Sequence, residues 1–132
     1  MNEISSHEDL KIVVVDDSEF SRSIIIKMLK ESGFSVVGEA NSAIAALQVI
    51  KEKKPHVVIT DIVMPEVSGI ELTENINQNF EDIYVIVISS LSQEHVVLEA
   101  ISAGAADFIS KPLSQQQLID SLEKIISQMN KE

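Results

Sequence analysis

The stretch Lys11-Ile12-Val13-Val14-Val15-Asp16-Asp17 decides how this chain is read. Four apolar residues in a row, all β-branched, suit a strand covered on both faces, as in a parallel sheet with helices on each side. Two carboxylates then follow where such a strand reaches the sheet edge. The pattern recurs along the chain. Val57-Val58-Ile59-Thr60 runs into Asp61, Val85-Ile86-Val87-Ile88 into Ser89, and Phe108-Ile109-Ser110 into Lys111-Pro112.

Working outward, strands are expected at 11–15, 35–38, 56–60, 84–88 and 106–109, with helix-period stretches between them. In 18–32, Phe20, Ile24, Ile25, Met28 and Leu29 share a face, and Gly33 offers a left-handed stop. In 42–53, Ala43, Ala46, Leu47 and Ile50 share a face, and Pro55 ends the element. A third helix opens at Ser68 with Glu71 as capping-box partner, and a fourth opens near Ser92 and stops at Gly104. The fifth opens at Ser114 with Gln117, and carries the stripe Leu118, Leu122, Ile125, Met129, widened by Ile119 and Ile126. The order is (βα)5. Right-handed crossovers and two-sided covering point to an α/β fold with an open, doubly wound, five-stranded parallel sheet.

The 132 residues suit one domain, with 45% apolar residues to build its core. Net charge is −11, which repels phosphate backbones and anionic lipid and argues against nucleic-acid or membrane-surface binding. The chain has no cysteine, which fits a reducing cytosol, and no run approaches the ~18 apolar residues of a membrane span. Residues 1–9 are polar, unlike a signal peptide, and are expected as a frayed N-terminal tail before a domain over 10–130. No linker, repeat or low-complexity tract divides the rest.

In an open parallel sheet, ligands bind at the carboxyl ends of the strands, where strand order reverses. Asp16, Asp17, Asp61, Ser89 and Lys111 all fall at or just past such ends. Two carboxylates about 4 Å apart repel by about 4 kcal/mol at an effective dielectric near 20, so either one is protonated or a cation sits among them. Hard oxygen ligands in small number suit Mg2+. The plainer alternative is two solvated loop acids and a helix-capping aspartate. Asp61 is the best nucleophile, able to form an acyl phosphate, and the Lys111 ammonium would neutralise the charge that develops. Ser89 offers a hydroxyl to a phosphoryl oxygen, or merely caps a strand-end carbonyl, with Ser90 and Ser92 as competitors. A cis bond at Lys111-Pro112 would make a tight turn that aims the lysine inward. His56 and His95 are read as structural or surface residues, since no second ligand is spaced with them.

Val13-Val14-Val15-Asp16-Asp17-Ser18, Asp61 through Gly69, Ile88-Ser89-Ser90 and Gly104 through Pro112, in this order and spacing, resemble the receiver domain of two-component response regulators. The likeness spans about residues 10–130 and is nearest to the single-domain, chemotaxis-type regulators. It implies a flavodoxin-like fold with strand order 2-1-3-4-5. It makes Asp61 the phosphoacceptor, and Asp16, Asp17 and the Val63 carbonyl the Mg2+ ligands beside it. Ser89 becomes the switch hydroxyl, Lys111 the phosphoryl-contacting lysine and Phe108 the switch aromatic. Phe108 reads equally well as core packing. Val63 and Leu91 are apolar where relatives often carry polar side chains, which implies slow self-dephosphorylation.

The implied function is phosphate capture from a sensor histidine kinase in the cytoplasm, with a switched protein contact as output, since no effector domain is present. Val97, Ala100 and Ile101 are expected on the buried face of the fourth helix, with Val96, Leu98, Ile119 and Ile126 at the rim of a face formed by helix 4, strand 5 and helix 5. That face is a candidate surface for an unidentified protein target or a homodimer; the plainer alternative is that these rim residues pack on neighbouring elements. A phosphate sink for a kinase, without any target, is the main alternative. An aspartyl-phosphate hydrolase of the haloacid-dehalogenase type wants an Asp-x-Asp arrangement, and a serine hydrolase wants a Gly-x-Ser-x-Gly turn. A nucleotide or flavin binder wants a glycine-rich first loop, which Asp16-Asp17-Ser18 opposes. The chain is thus expected to assist its own phosphorylation and dephosphorylation and not to be a turnover enzyme.

Overall fold

The computed structural model describes residues 3–131. β3 (Val57–Asp61) is the middle strand of a five-stranded parallel sheet, flanked by β1 (Lys11–Val15) and β2 (Ser35–Ala40) on one side and by β4 (Tyr84–Ser89) and β5 (Asp107–Ser110) on the other. The order β2-β1-β3-β4-β5 is the flavodoxin-like arrangement. Val13 pairs with Val58, Val58 with Val85, and Val87 with Phe108.

The helices are α1 (Glu19–Glu31), α2 (Ala43–Lys53), α3 (Gly69–Asn79), α4 (Glu94–Ser102) and α5 (Gln115–Lys131). Successive strand residues point to opposite faces, and each face has its own core. Ile12, Val14, Ile59, Ile86 and Ile88 pack with Ile25 and Leu29 of α1 and Leu118, Leu122 and Ile125 of α5. Val13, Val15, Val58, Val85 and Val87 pack with Ala46 and Ile50 of α2, Leu72 and Ile76 of α3 and Ala100 of α4. Truncating a fully buried residue such as Ile59 or Ile88 to Ala costs about 2–5 kcal/mol.

Caps fix where helices begin. Ser18 and Ser42 each accept an amide hydrogen bond, from Ser21 and Ala45. Ser68 and Glu71 close the expected capping box, as do Ser114 and Gln117. α4 starts two residues past Ser92, and its N-cap Gln93 makes no side-chain cap hydrogen bond.

Two expectations about surfaces, at Phe20 with Ile24 and at Ile101, are corrected, and the plainer reading of the rim residues Val96, Ile119 and Ile126 holds. Phe20 and Ile24 do not join the buried face of α1: they are 77% and 38% exposed, while Ile25 and Leu29 are buried and Ile26 and Met28 pack partly against the same core. On α4, Ile101 is exposed, whereas Val96, expected at the rim, packs against the core; the exposed apolar residues there are Leu98 and Ile101. Ile119 and Ile126 of α5 pack partly into the core as well.

The described part of segment 1–9 also differs from a frayed tail, while Met1 and Asn2 lie outside the described residues. Ile4 is buried, and its backbone exchanges two hydrogen bonds with the side-chain amide of Asn130 on α5. His7 stacks on Phe34 at 4.1 Å and its Nδ1 donates to the Ser32 carbonyl at 2.8 Å. Among the described residues, no helix is long and apolar enough to cross a membrane.

Candidate functional site

The chain leaves β1 for β2 on one side and later places β3 on the other, so a crevice opens between the carboxyl ends of β1 and β3. Asp16 and Asp17 follow β1 directly, and Asp61 is the last residue of β3. Carboxylate oxygens of all three lie within 4.8 Å of one another. Lys111, just past β5, reaches into the same place. Its Nζ stands 3.2 Å from Asp61 Oδ2 and 3.6 Å from Asp16 Oδ2. The Lys111–Pro112 peptide bond is cis.

Each acid is held differently. Asp16 is fully buried; its Oδ1 accepts from the Ser18 amide at 2.9 Å. Among the described residues, its buried Oδ2 has no hydrogen-bond partner, since Lys111 is too distant for one. Asp17 is exposed at the mouth. Asp61 is half-buried, and its Oδ1 accepts from the Ile62 amide at 2.7 Å. Burial raises the Asp61 carboxyl above its ordinary pKa, and the Asp16 charge adds to this. The Lys111 ammonium and the Ile62 N–H pull the other way.

This donor set fits a hard divalent cation such as Mg2+. Three convergent carboxylates carry more negative charge than one lysine balances, and a buried carboxylate oxygen without a partner is costly unless a cation meets it. The alternative of solvated loop acids does not describe Asp16, and the cap of α1 is Ser18 instead of an aspartate.

Ser89 ends β4, next to Asp61 in register (Asp61 pairs with Ile88). The residue is fully buried, and its Oγ accepts from the Leu91 amide at 3.0 Å. It caps the backbone of the following loop, not a strand-end carbonyl. Ser90 and Ser92 are exposed. Phe108 is half-buried against the core on the α4 side. The Val63 side chain is 58% exposed and that of Leu91 37%. His95 is exposed, whereas His56 Nδ1 accepts from the Lys11 amide at 2.9 Å and serves the backbone.

Three contributors have little sequence signal. Arg22 Nη1 donates to the Asp16 carbonyl at 2.8 Å while its Nε donates to Glu39 at 2.6 Å, which ties the Asp16 backbone to β2. Ser21 Oγ accepts from Lys111 Nζ at 3.2 Å. Gly69 opens α3 against β3, and a Cβ there would lie 1.8 Å from the Asp61 carbonyl oxygen. Only glycine fits. Its place in the motif beginning at Asp61 hints at this, but not which atom demands it.

Comparison with known proteins agrees with this geometry. The chemotaxis protein CheY of Thermotoga maritima is 36% identical over 115 residues, covering 87% of this chain and 96% of that protein. Its counterpart in Listeria monocytogenes is 39% identical over 115 residues, covering 87% and 97%. A solved structure of a CheX–CheY–BeF3–Mg2+ complex from Borrelia burgdorferi superposes with a TM-score of 0.84 at 28% identity, covering 88% of each chain. The family defined as the response regulator receiver domain matches residues 12–123. A strand-edge cluster of acids with its lysine, in a sheet of this order and on a sequence this similar, settles the family: the chain belongs to the response regulator receiver domains.

Proposed function

We propose that this receiver domain takes a phosphoryl group from a sensor histidine kinase onto Asp61 and signals by a changed protein contact, in a chemotaxis-type pathway in the cytoplasm. The observation that carries the reading is Lys111 Nζ at 3.2 Å from Asp61 Oδ2, inside a cluster of acids that one lysine does not neutralise. Asp16, Asp17, Asp61 and the Val63 carbonyl would hold Mg2+, which would supply positive charge for a further dianion. A carboxylate oxygen of Asp61 attacks phosphorus, the bond to the donor breaks, and the donor leaves with the electron pair. Lys111 stays beside the transferred group and balances part of its charge.

The phosphoryl group adds about −1.5 to −2 charges at the rim. Ser89 then exchanges its bond to the Leu91 amide for one to a phosphoryl oxygen. The loop from Ser90 to Gln93 moves with it, and α4, whose N-cap lacks a side-chain hydrogen bond, is the helix least anchored against that shift. Phe108 follows into the space vacated. Both packings exist beforehand, and phosphorylation biases between them. The face that changes carries Leu98 and Ile101, exposed on α4 beside β5 and α5, and is the surface for a protein target or a second copy.

Incubation with Mg2+ and acetyl phosphate should add the mass of one phosphoryl group to the wild type and none to Asp61→Asn. Wild type left unmodified would set the reading aside. Pull-downs with beryllofluoride-treated and untreated protein separate a target-binding regulator from a phosphate sink.

A further inference from the structure

The Lys111 ammonium carries three protons, and the structure turns three oxygens toward it. Two belong to the acids, Asp61 Oδ2 at 3.2 Å and Asp16 Oδ2 at 3.6 Å. The third is Ser21 Oγ, in the first turn of α1, at 3.2 Å. The geometry has an electrostatic imbalance. Asp16 Oδ2 is buried and without a hydrogen-bond partner among the described residues, yet the ammonium stops short of bonding distance from it. Coulomb attraction alone would draw the amine onto that oxygen.

We infer that Ser21 is a positioning residue for Lys111: its hydroxyl oxygen accepts a hydrogen bond from the ammonium on the α1 side and holds the amine between the two carboxylates, leaving Asp16 Oδ2 free for the metal. The inference rests on the phosphoacceptor reading above and adds a residue to it. The role belongs to the hydroxyl and not to the fold of α1. The cap of that helix uses the backbone N–H of Ser21, which donates to Ser18 Oγ at 3.2 Å, and a side-chain substitution leaves this bond in place. Without the hydroxyl, the amine settles onto Asp16, competes with Mg2+ for it, and stands further from the incoming phosphoryl group.

Thr and Val at position 21 have the same shape and the same β-branched cost at a helix start, and differ only in the hydroxyl. Ser21→Thr, Ser21→Val and Ser21→Ala are compared by two measurements on the full chain. One is Mg2+ affinity by amide-shift titration, with no phosphodonor present. The other is the rate of phosphorylation by acetyl phosphate at saturating Mg2+, in which Asp61 attacks phosphorus and acetate departs. Loss of one hydrogen bond from a charged, half-buried donor is worth about a fivefold change. Ser21→Thr should stay close to wild type in both measurements. Ser21→Val and Ser21→Ala should bind Mg2+ more weakly and phosphorylate more slowly, each by about three- to fivefold. If wild type is phosphorylated and the Thr and Val variants match each other, the positioning role is wrong while the phosphoacceptor reading stands. If wild type is not phosphorylated at all, both fall together.

Discussion

Lys111 Nζ lies 3.2 Å from Asp61 Oδ2 although 50 residues of chain separate them. β3 and β5 deliver the pair to one rim, with β4 between them. One lysine there faces the carboxylates of Asp16, Asp17 and Asp61, so the resting site is under-neutralised, and that imbalance has measurable consequences.

Lys111→Met should lower stability in the absence of metal. Among the described residues, the acids lose their only close cation, and Asp16 is fully buried. The amine itself is partly exposed, so the cost is about 1–2 kcal/mol, below that of a fully buried pair. Urea midpoints with and without Mg2+ check this; the ion should restore most of the loss.

Asp17→Asn should act in the opposite sense. It removes one like charge from the cluster and leaves the buried Asp16 in place. Metal-free stability should rise by about 0.5 kcal/mol, a small gain because Asp17 is exposed. The increase in melting temperature that Mg2+ gives wild type should shrink or vanish.

The phosphoryl lifetime should be long in wild type and shorter in the Val63→Asn, Leu91→Glu double variant. Both side chains are exposed and apolar, so neither offers a polar group to an attacking water. Loss of label after removal of the phosphodonor measures the lifetime. Equal lifetimes in the two proteins count against this role.

His56 gives a pH dependence of its own. Burial, and then the neighbouring Lys11 charge, lower its pKa from the ordinary 6.5, and its Nδ1 accepts from the Lys11 amide in the neutral form. The unfolded chain therefore binds the proton more readily. The stability His56 contributes is complete above pH 6.5 and is lost as pH falls through the lower folded value. Denaturant midpoints from pH 7.5 to 5 should fall more steeply for wild type than for His56→Asn, which keeps an acceptor but does not titrate.

β1, β3 and β4 are legible in the sequence because both their faces are covered, and an unbroken run such as Val85-Ile86-Val87-Ile88 has few other uses. The acids and Lys111 are legible because a polar residue ending such a run has to emerge at the sheet edge. Helix faces are less so. Period 3.6 gathers Phe20, Ile24, Ile25 and Leu29 on one side of α1, but only the neighbours present decide how wide an arc is covered, and Phe20 lies beyond it. Ile101 fails for the same reason on α4. Segment 3–9 looks polar apart from Ile4, and that one apolar residue and a stacking histidine suffice to dock it. Ser21 is invisible because a serine in a first helical turn is ordinary, and only the fold brings Lys111 to it across 90 residues.

The most direct measurement is to locate the phosphoryl group. Reduction of the acyl phosphate with borohydride turns the carrying aspartate into homoserine, which peptide mapping then identifies. After treatment with acetyl phosphate and Mg2+, the account predicts homoserine at position 61 alone, dependent on the metal. Homoserine at 16 or 17, or label that forms equally well with Mg2+ chelated, would contradict it.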